Sequence, residues 1–129
     1  MENPKSLKYS KEHEWVKVEG DIAIVGITDF AQKQLTDIVF VELPEKGKHV
    51  TQGNAMAVVE SVKSVSDVFA PVSGEVVDVN NELTDAPEIL NKEPYGKGWI
   101  AKVKIENIGE LDNLLTAEKY GEFLKKTKH

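Results

Sequence analysis

The sequence predicts a mainly β fold, a sandwich or barrel of short strands with helical additions. Three observations carry this. Apolar residues recur two apart in runs of a few residues. Gly, Pro and Ser breaks interrupt those runs at short intervals. Only the stretch after Asn107 changes to helical spacing.

Taken in order, Trp15 to Val18 and Asp21 to Ile27 read as strands joined by a tight turn at Glu19-Gly20. Thr28 is placed to cap a short helix through Leu35, with Ala31 and Leu35 on one face. Asp37 to Leu43 is a β-rich run that Pro44 stops. Gly47 and Gly53 bracket a short segment containing Val50. Asn54 to Ser61 and Val65 to Ala70 pair as strands around a turn whose central residues are Val62 and Lys63. Pro71 and Ser73-Gly74 form the next turn, and Glu75 to Val79 continues as a strand. Residues 80–97 read as a polar loop with a short helix near Pro87 to Leu90, and Gly98 to Ile105 as the last strand. Asn107 with Glu110 three residues on resembles a capping box, followed by Leu111, Leu114 and Leu115. Thr116 caps a final helix carrying Tyr120, Phe123 and Leu124, a stripe that suits packing on the sheets. The whole is expected to be one domain over 1–129, with a core from about 7 to 125 and a C-terminal helical segment from about 107 to 126.

Composition narrows the chemistry. There is no cysteine, which removes disulfides, thiolate catalysis and Cys-based metal sites. His13, His49 and His129 lack ligand spacing, so no metal is expected. All 16 basic residues are lysine and the net charge is −6. A chain without arginine lacks the planar fork suited to phosphates and base edges, so nucleic acid is not an expected partner. The opening Met1-Glu2-Asn3-Pro4-Lys5 has no apolar signal core, and no apolar run is long enough to span a bilayer. A cytoplasmic location is expected, or the mitochondrial matrix for a processed organellar chain, with a monomer as the plain expectation. Charge is uneven. Glu75, Asp78, Glu82, Asp85, Glu88 and Glu93 face Lys92 alone, which would suit a surface that steers partners.

One residue stands apart. Lys63 lies at the centre of the turn in Val58-Val59-Glu60-Ser61-Val62-Lys63-Ser64-Val65. Taken alone it is a solvated turn lysine. A lysine on a hairpin tip is also what a swinging-arm carrier needs: sheet hydrogen bonds on both sides hold the tip, and small neighbours such as Ser61 and Ser64 leave room for an arm. Tethering then keeps the arm local, at effective concentrations on the order of millimolar.

The run Val59-Glu60-Ser61-Val62-Lys63, with Ser66-Asp67-Val68 and Ala70-Pro71-Val72-Ser73-Gly74-Glu75-Val76, resembles the lipoylation site of the glycine cleavage system H-protein family. Biotin carriers place Met on both sides of the lysine, and acyltransferase lipoyl domains use Asp-Lys; Val62-Lys63-Ser64 fits neither. His13-Glu14-Trp15-Val16, Gly26-Ile27-Thr28-Asp29-Phe30-Ala31-Gln32, Phe40-Val41-Glu42-Leu43-Pro44 and Pro94-Tyr95-Gly96-Lys97-Gly98-Trp99 agree, so the likeness runs from about Leu7 to Phe123. It implies a barrel-sandwich hybrid of the lipoyl-domain type, two antiparallel sheets related by a rough twofold. It implies lipoate on Lys63 through an amide. Glycine decarboxylase (P protein) would load an aminomethyl group, the aminomethyltransferase (T protein) would take the one-carbon unit to tetrahydrofolate, and dihydrolipoyl dehydrogenase (L protein) would reoxidise the dithiol. A lipoate-attaching enzyme would install the cofactor, and the chain would itself be non-catalytic. No Ser-His-Asp order, zinc motif or Gly-rich phosphate loop points to an enzyme.

The family's loaded arm folds into a cleft that protects it. A carboxylate would suit its amine, and Glu14 and Asp67 are the candidates for that cleft. Gln34 stands where some relatives carry His, and it cannot titrate near neutrality. The alternative is a related lipoyl carrier that donates lipoate to other complexes or serves a sulfur-oxidising pathway.

Overall fold

The computed structural model describes residues 3–127. Met1, Glu2 and His129, named above, lie outside the described residues, as does Lys128. Two antiparallel sheets make the body. The larger has the order β1 (Lys8–Tyr9), β2 (Glu14–Glu19), β3 (Ile22–Ile27), β9 (Ala101–Ile105), β8 (Gly74–Val79) and β5 (His49–Val50). The smaller has the order β4 (Ile38–Glu42), β6 (Ala55–Ser61) and β7 (Val65–Phe69). Between these strands lie α1 (Asp29–Leu35), α2 (Glu82–Asp85), α3 (Ile89–Lys92), a 3-10 helix (Ile108–Asn113) and α4 (Ala117–Thr127).

Local chemistry explains most of these elements. Gly20 supplies the positive φ that the β2–β3 turn needs, at +64°. Thr28 caps α1, its hydroxyl accepting from the Ala31 N–H at 3.2 Å, and Leu35 faces inward. The inward positions of both sheets meet in one apolar layer that includes Val25, Val41, Val59, Val68, Val76 and Val103, all nearly inaccessible to water. Each such side chain contributes roughly 1.5–3 kcal/mol by leaving water.

A second cluster forms on the opposite face of the larger sheet. Trp15, Tyr9 and Leu7 pack there against Tyr120 and Leu124 of α4. The alternation along β2 therefore serves two cores: Val16 enters the first and Trp15 the second. Trp15 lies over Gly26 of β3, where a Cβ would sit 2.6 Å from the indole ring. Its Nε1 donates to the Pro94 carbonyl at 2.8 Å.

Four expectations need correction. The last strand begins at Ala101, not Gly98. The segment before it is held by Asn80, whose side-chain amide donates to the carbonyls of Lys97 and Trp99. The loop at 80–97 contains two short helices, 82–85 and 89–92, rather than one. Asn107 caps a 3-10 helix through the Gly109 N–H, and Glu110 does not close a capping box. Glu110 instead reaches across the fold to accept from the Ser73 N–H at 2.6 Å and the Ser73 hydroxyl at 2.8 Å. The Pro71–Gly74 turn was the stronger attractor because the buried Ser73 N–H and hydroxyl proton would otherwise lack acceptors, while the hydroxyl oxygen already accepts from the Gln52 N–H at 2.8 Å. Lastly, β1 is an additional short strand, paired with β2 and bridged to Leu115.

Candidate functional site

The β6–β7 hairpin projects Lys63 into solvent. Neither Val62 nor Lys63 has a positive φ, so the tip is not one of the mirror-image turns usual in two-residue hairpins. Ser61 makes it work. Its buried hydroxyl accepts from the Lys63 N–H at 3.2 Å and the Ser64 N–H at 3.0 Å, and donates to the Ser64 carbonyl at 3.2 Å. The Ser61 N–H also reaches the Ser64 carbonyl, at 2.8 Å. Ser61 therefore does more than leave room: its side chain replaces turn bonds that the backbone does not make. The segment just before β4 extends this support, since the Val62 N–H donates to the Asp37 carbonyl at 3.0 Å.

Among the described residues the Lys63 amine has no ion-pair partner. Its surroundings are apolar and exposed. Val62 and Val65 are 69% and 65% accessible, and Phe40 and Val65 flank Glu60 in one cross-strand row on the outer face. The alternating pattern places Phe40 and Val65 in strands. Their sharing of a surface around Lys63 needs the three-strand register.

The two carboxylates singled out from the sequence are placed differently. Asp67 is exposed on β7, opposite Val58. Glu14 is 1% exposed at the start of β2. One Glu14 carboxylate oxygen accepts from the Ser10 hydroxyl and the other from the Phe69 N–H at 3.0 Å. Burial pushes the Glu14 pKa up to about 7, and the hydrogen bonds from Ser10 and Phe69 only partly oppose that rise. A shallow cavity of about 200 Å³ opens here, lined by Ser10, Glu14, Gln52, Phe69, Pro71 and Leu114 among others. Asp67 is not part of that lining.

His13 explains how Glu14 is aimed. At φ +73° it reverses the chain between the Ser10 turn and β2, so that Ser10 can bond both the backbone and the side chain of Glu14. A chain of hydroxyls secures the His13 ring. The Thr28 hydroxyl, which accepts from the Ala31 N–H, also pairs with the Tyr120 hydroxyl at 2.8 Å. The Tyr120 hydroxyl in turn pairs with His13 Nδ1 at 2.8 Å. Burial holds the His13 pKa below its usual value, consistent with a neutral ring in that pair. Gln34 is exposed on α1. The sequence carried no signal that Ser10 and Phe69 would meet Glu14, because Phe69 is distant in the chain.

β7 is an edge strand of its sheet, and its free edge runs from the Lys63 tip to the Phe69–Glu14 contact. A stiff two-sheet body with one solvent-projected hairpin lysine is a carrier domain of the lipoyl type. The glycine cleavage H-protein family model matches residues 7–127. A glycine cleavage system H protein from Carboxydothermus hydrogenoformans is 58% identical over 122 residues, covering 95% of this chain and 94% of the relative. Its counterpart from Symbiobacterium thermophilum is 59% identical, with 95% of each chain covered. The crystal structure of a glycine cleavage system H protein from Mycobacterium marinum superposes with a TM-score of 0.85 at 39% identity, covering 98% of this chain and all of that one. The chain belongs to the glycine cleavage H-protein family, a carrier component of the glycine cleavage system.

Proposed function

We propose that Lys63 is the residue amide-linked to lipoate by an attaching enzyme, and that the chain so equipped serves glycine decarboxylase, the aminomethyltransferase and dihydrolipoyl dehydrogenase in turn. The observation that carries this reading is an exposed amine, without an ion-pair partner among the described residues, at a tip stitched by Ser61, inside a chain of this family. The residues present suit the group. The amine is exposed, its flanks are small or apolar, and a cavity with a buried acid lies along the same strand edge. When bound, lipoate supplies a dithiolane whose thiol–disulfide exchange couples group transfer to redox. The chain adds no thiol of its own.

The arm reaches most of the way along this edge. From Lys63, where it starts, to Phe69 is at most about 20 Å, six residues at about 3.3 Å each. A lysine side chain lengthened by an eight-carbon acyl group extends about 14 Å, at about 1.2 Å per bond. Glu14 then offers a carboxylate to a primary amine brought along that edge, and Asp67 flanks the route. An arriving ammonium would restore charge balance to Glu14 and draw its pKa down again. The test is intact mass after co-expression with a lipoate-attaching enzyme, followed by glycine–bicarbonate exchange with glycine decarboxylase. The parent chain should gain the lipoyl mass and support exchange, and Lys63→Arg should do neither while keeping its β-sheet spectrum. Exchange retained by Lys63→Arg would refute the assignment. A modified chain inactive in exchange would point to lipoate donation or a sulfur pathway instead.

A further inference from the structure

The tip that presents Lys63 leans on a backbone segment that is itself unfavourable. Thr36, just beyond α1, has φ +63° and ψ −144°, a conformation that β-branched residues rarely adopt. Such a conformation is costly and persists only where its surroundings impose it. What imposes it is Asn91 of α3. The Asn91 side-chain amide donates to the Thr36 carbonyl at 2.8 Å and to Gln32 Oε1 at 2.9 Å, and its oxygen accepts from the Ile38 N–H at 2.9 Å. Gln32 is held from the other side by its own bond to Asp29, at 2.8 Å. One side chain thus grips the residues immediately before and after Asp37. The Asp37 carbonyl is the group that accepts from Val62, next to Lys63.

We infer that Asn91 is a positioning residue for the acceptor lysine. It locks the strap Thr36–Asp37–Ile38, and through Asp37 it holds the hairpin tip in the one pose an attaching enzyme meets. Asn91 touches neither Lys63 nor anything attached to it. All of its side-chain bonds end on α1 and the strap. Without it, Thr36 is free to relax toward negative φ, the Asp37 carbonyl turns away, and Val62 loses its partner. The tip then samples several poses. An enzyme that accepts only one of them shows a weaker apparent affinity in proportion to the competent fraction, with the chemical step unchanged. This inference rests on Lys63 being the acceptor.

The experiment uses the full unmodified chain and its Asn91→Ala and Asn91→Asp variants. Asn91→Asp keeps the shape and the acceptor for the Ile38 N–H but loses both donated bonds, so it serves if the alanine variant does not fold. Two quantities are read: amide hydrogen exchange at Val62, with Val103 in the core as the control, and steady-state attachment of lipoate by a lipoate–protein ligase with ATP. The expected result is about a tenfold faster exchange at Val62 with Val103 unchanged, as for loss of about one net hydrogen bond. The attachment KM should rise about fivefold to tenfold at constant kcat, with the aspartate variant between the parent and alanine. Unchanged Val62 exchange, or an unchanged KM despite faster exchange, overturns the inference. So does a parallel rise at Val62 and Val103, which would make Asn91 a general stabiliser. If the parent chain is not modified at all, the Lys63 reading fails, and Val62 exchange alone still decides whether Asn91 holds the tip.

Discussion

Replacing Glu14 by Gln should make the protein more stable at neutral pH and not at acid pH. Glu14 is buried, and its carboxyl titrates at about 7 in the fold against 4.5 when unperturbed. Between those values the folded chain holds a proton that the unfolded chain has released, so stability falls as pH rises through the window. Below about 4.5 both states are protonated and Glu14 costs nothing; above about 7 the full cost is present. At about 1.4 kcal/mol per unit the penalty reaches about 3 kcal/mol. Glutamine stays neutral throughout. Its oxygen can accept from Phe69, and its amide can donate to Ser10, whose hydroxyl can turn. Urea unfolding of both proteins from about pH 4 to about pH 8 should give curves that agree within about 1 kcal/mol at the acid end. They should diverge by about 3 kcal/mol in favour of Gln by pH 8. His13, the neighbouring group with a lowered pKa, is present in both proteins and cancels in the difference. A pH-independent difference would refute the claim that burial of this carboxyl dominates its titration. The same variant should hold an amine-bearing arm less well, because it has gained stability by giving up the charge that the arm would meet.

Ser61→Ala removes the hydroxyl that takes the Lys63 and Ser64 N–H groups; it should cost about 1–2 kcal/mol by urea unfolding and slow lipoate attachment measured by intact mass. Gly74→Ala places a Cβ 1.9 Å from the Lys104 carbonyl oxygen, so β8 and β9 must separate, and thermal unfolding should show a loss of about 3 kcal/mol or no folded protein. Tyr120→Phe deletes the hydroxyl between Thr28 and His13 and should cost about 1–3 kcal/mol, with the His13 ring resonances shifting in the NMR spectrum as the ring loses that partner. Asp67→Ala should leave attachment to Lys63 unchanged and shorten retention of an amine-bearing arm, read by its release rate. An unchanged rate would remove Asp67 from the cleft.

Period and punctuation made most strands readable, because side chains alternate wherever one face meets a core. The reading failed where a long-range partner outbid a local one. Glu110 satisfies the legs of most of a capping box, yet Ser73 holds it. Gly98 to Ile100 is apolar enough for a strand, but Asn80 and the packing of Gly98 on Glu93 keep it irregular until Ala101. The polar stretch at 80–97 hid two helices because each is a single turn, too short for any periodicity to show.

What the sequence by itself determined is the hairpin with a lysine at its tip and the family, since each is written in contiguous residues or in ordered motifs along the chain. Only the tertiary structure decided that Glu14 is sealed against Phe69 at the far end of β7, while Asp67 lies open on the same strand. It alone decided that Asn91 grips the strap beneath the tip. Spacing along a chain sets which face a side chain takes. Whether that face meets water or a residue more than fifty positions away is set by how the two sheets close on each other.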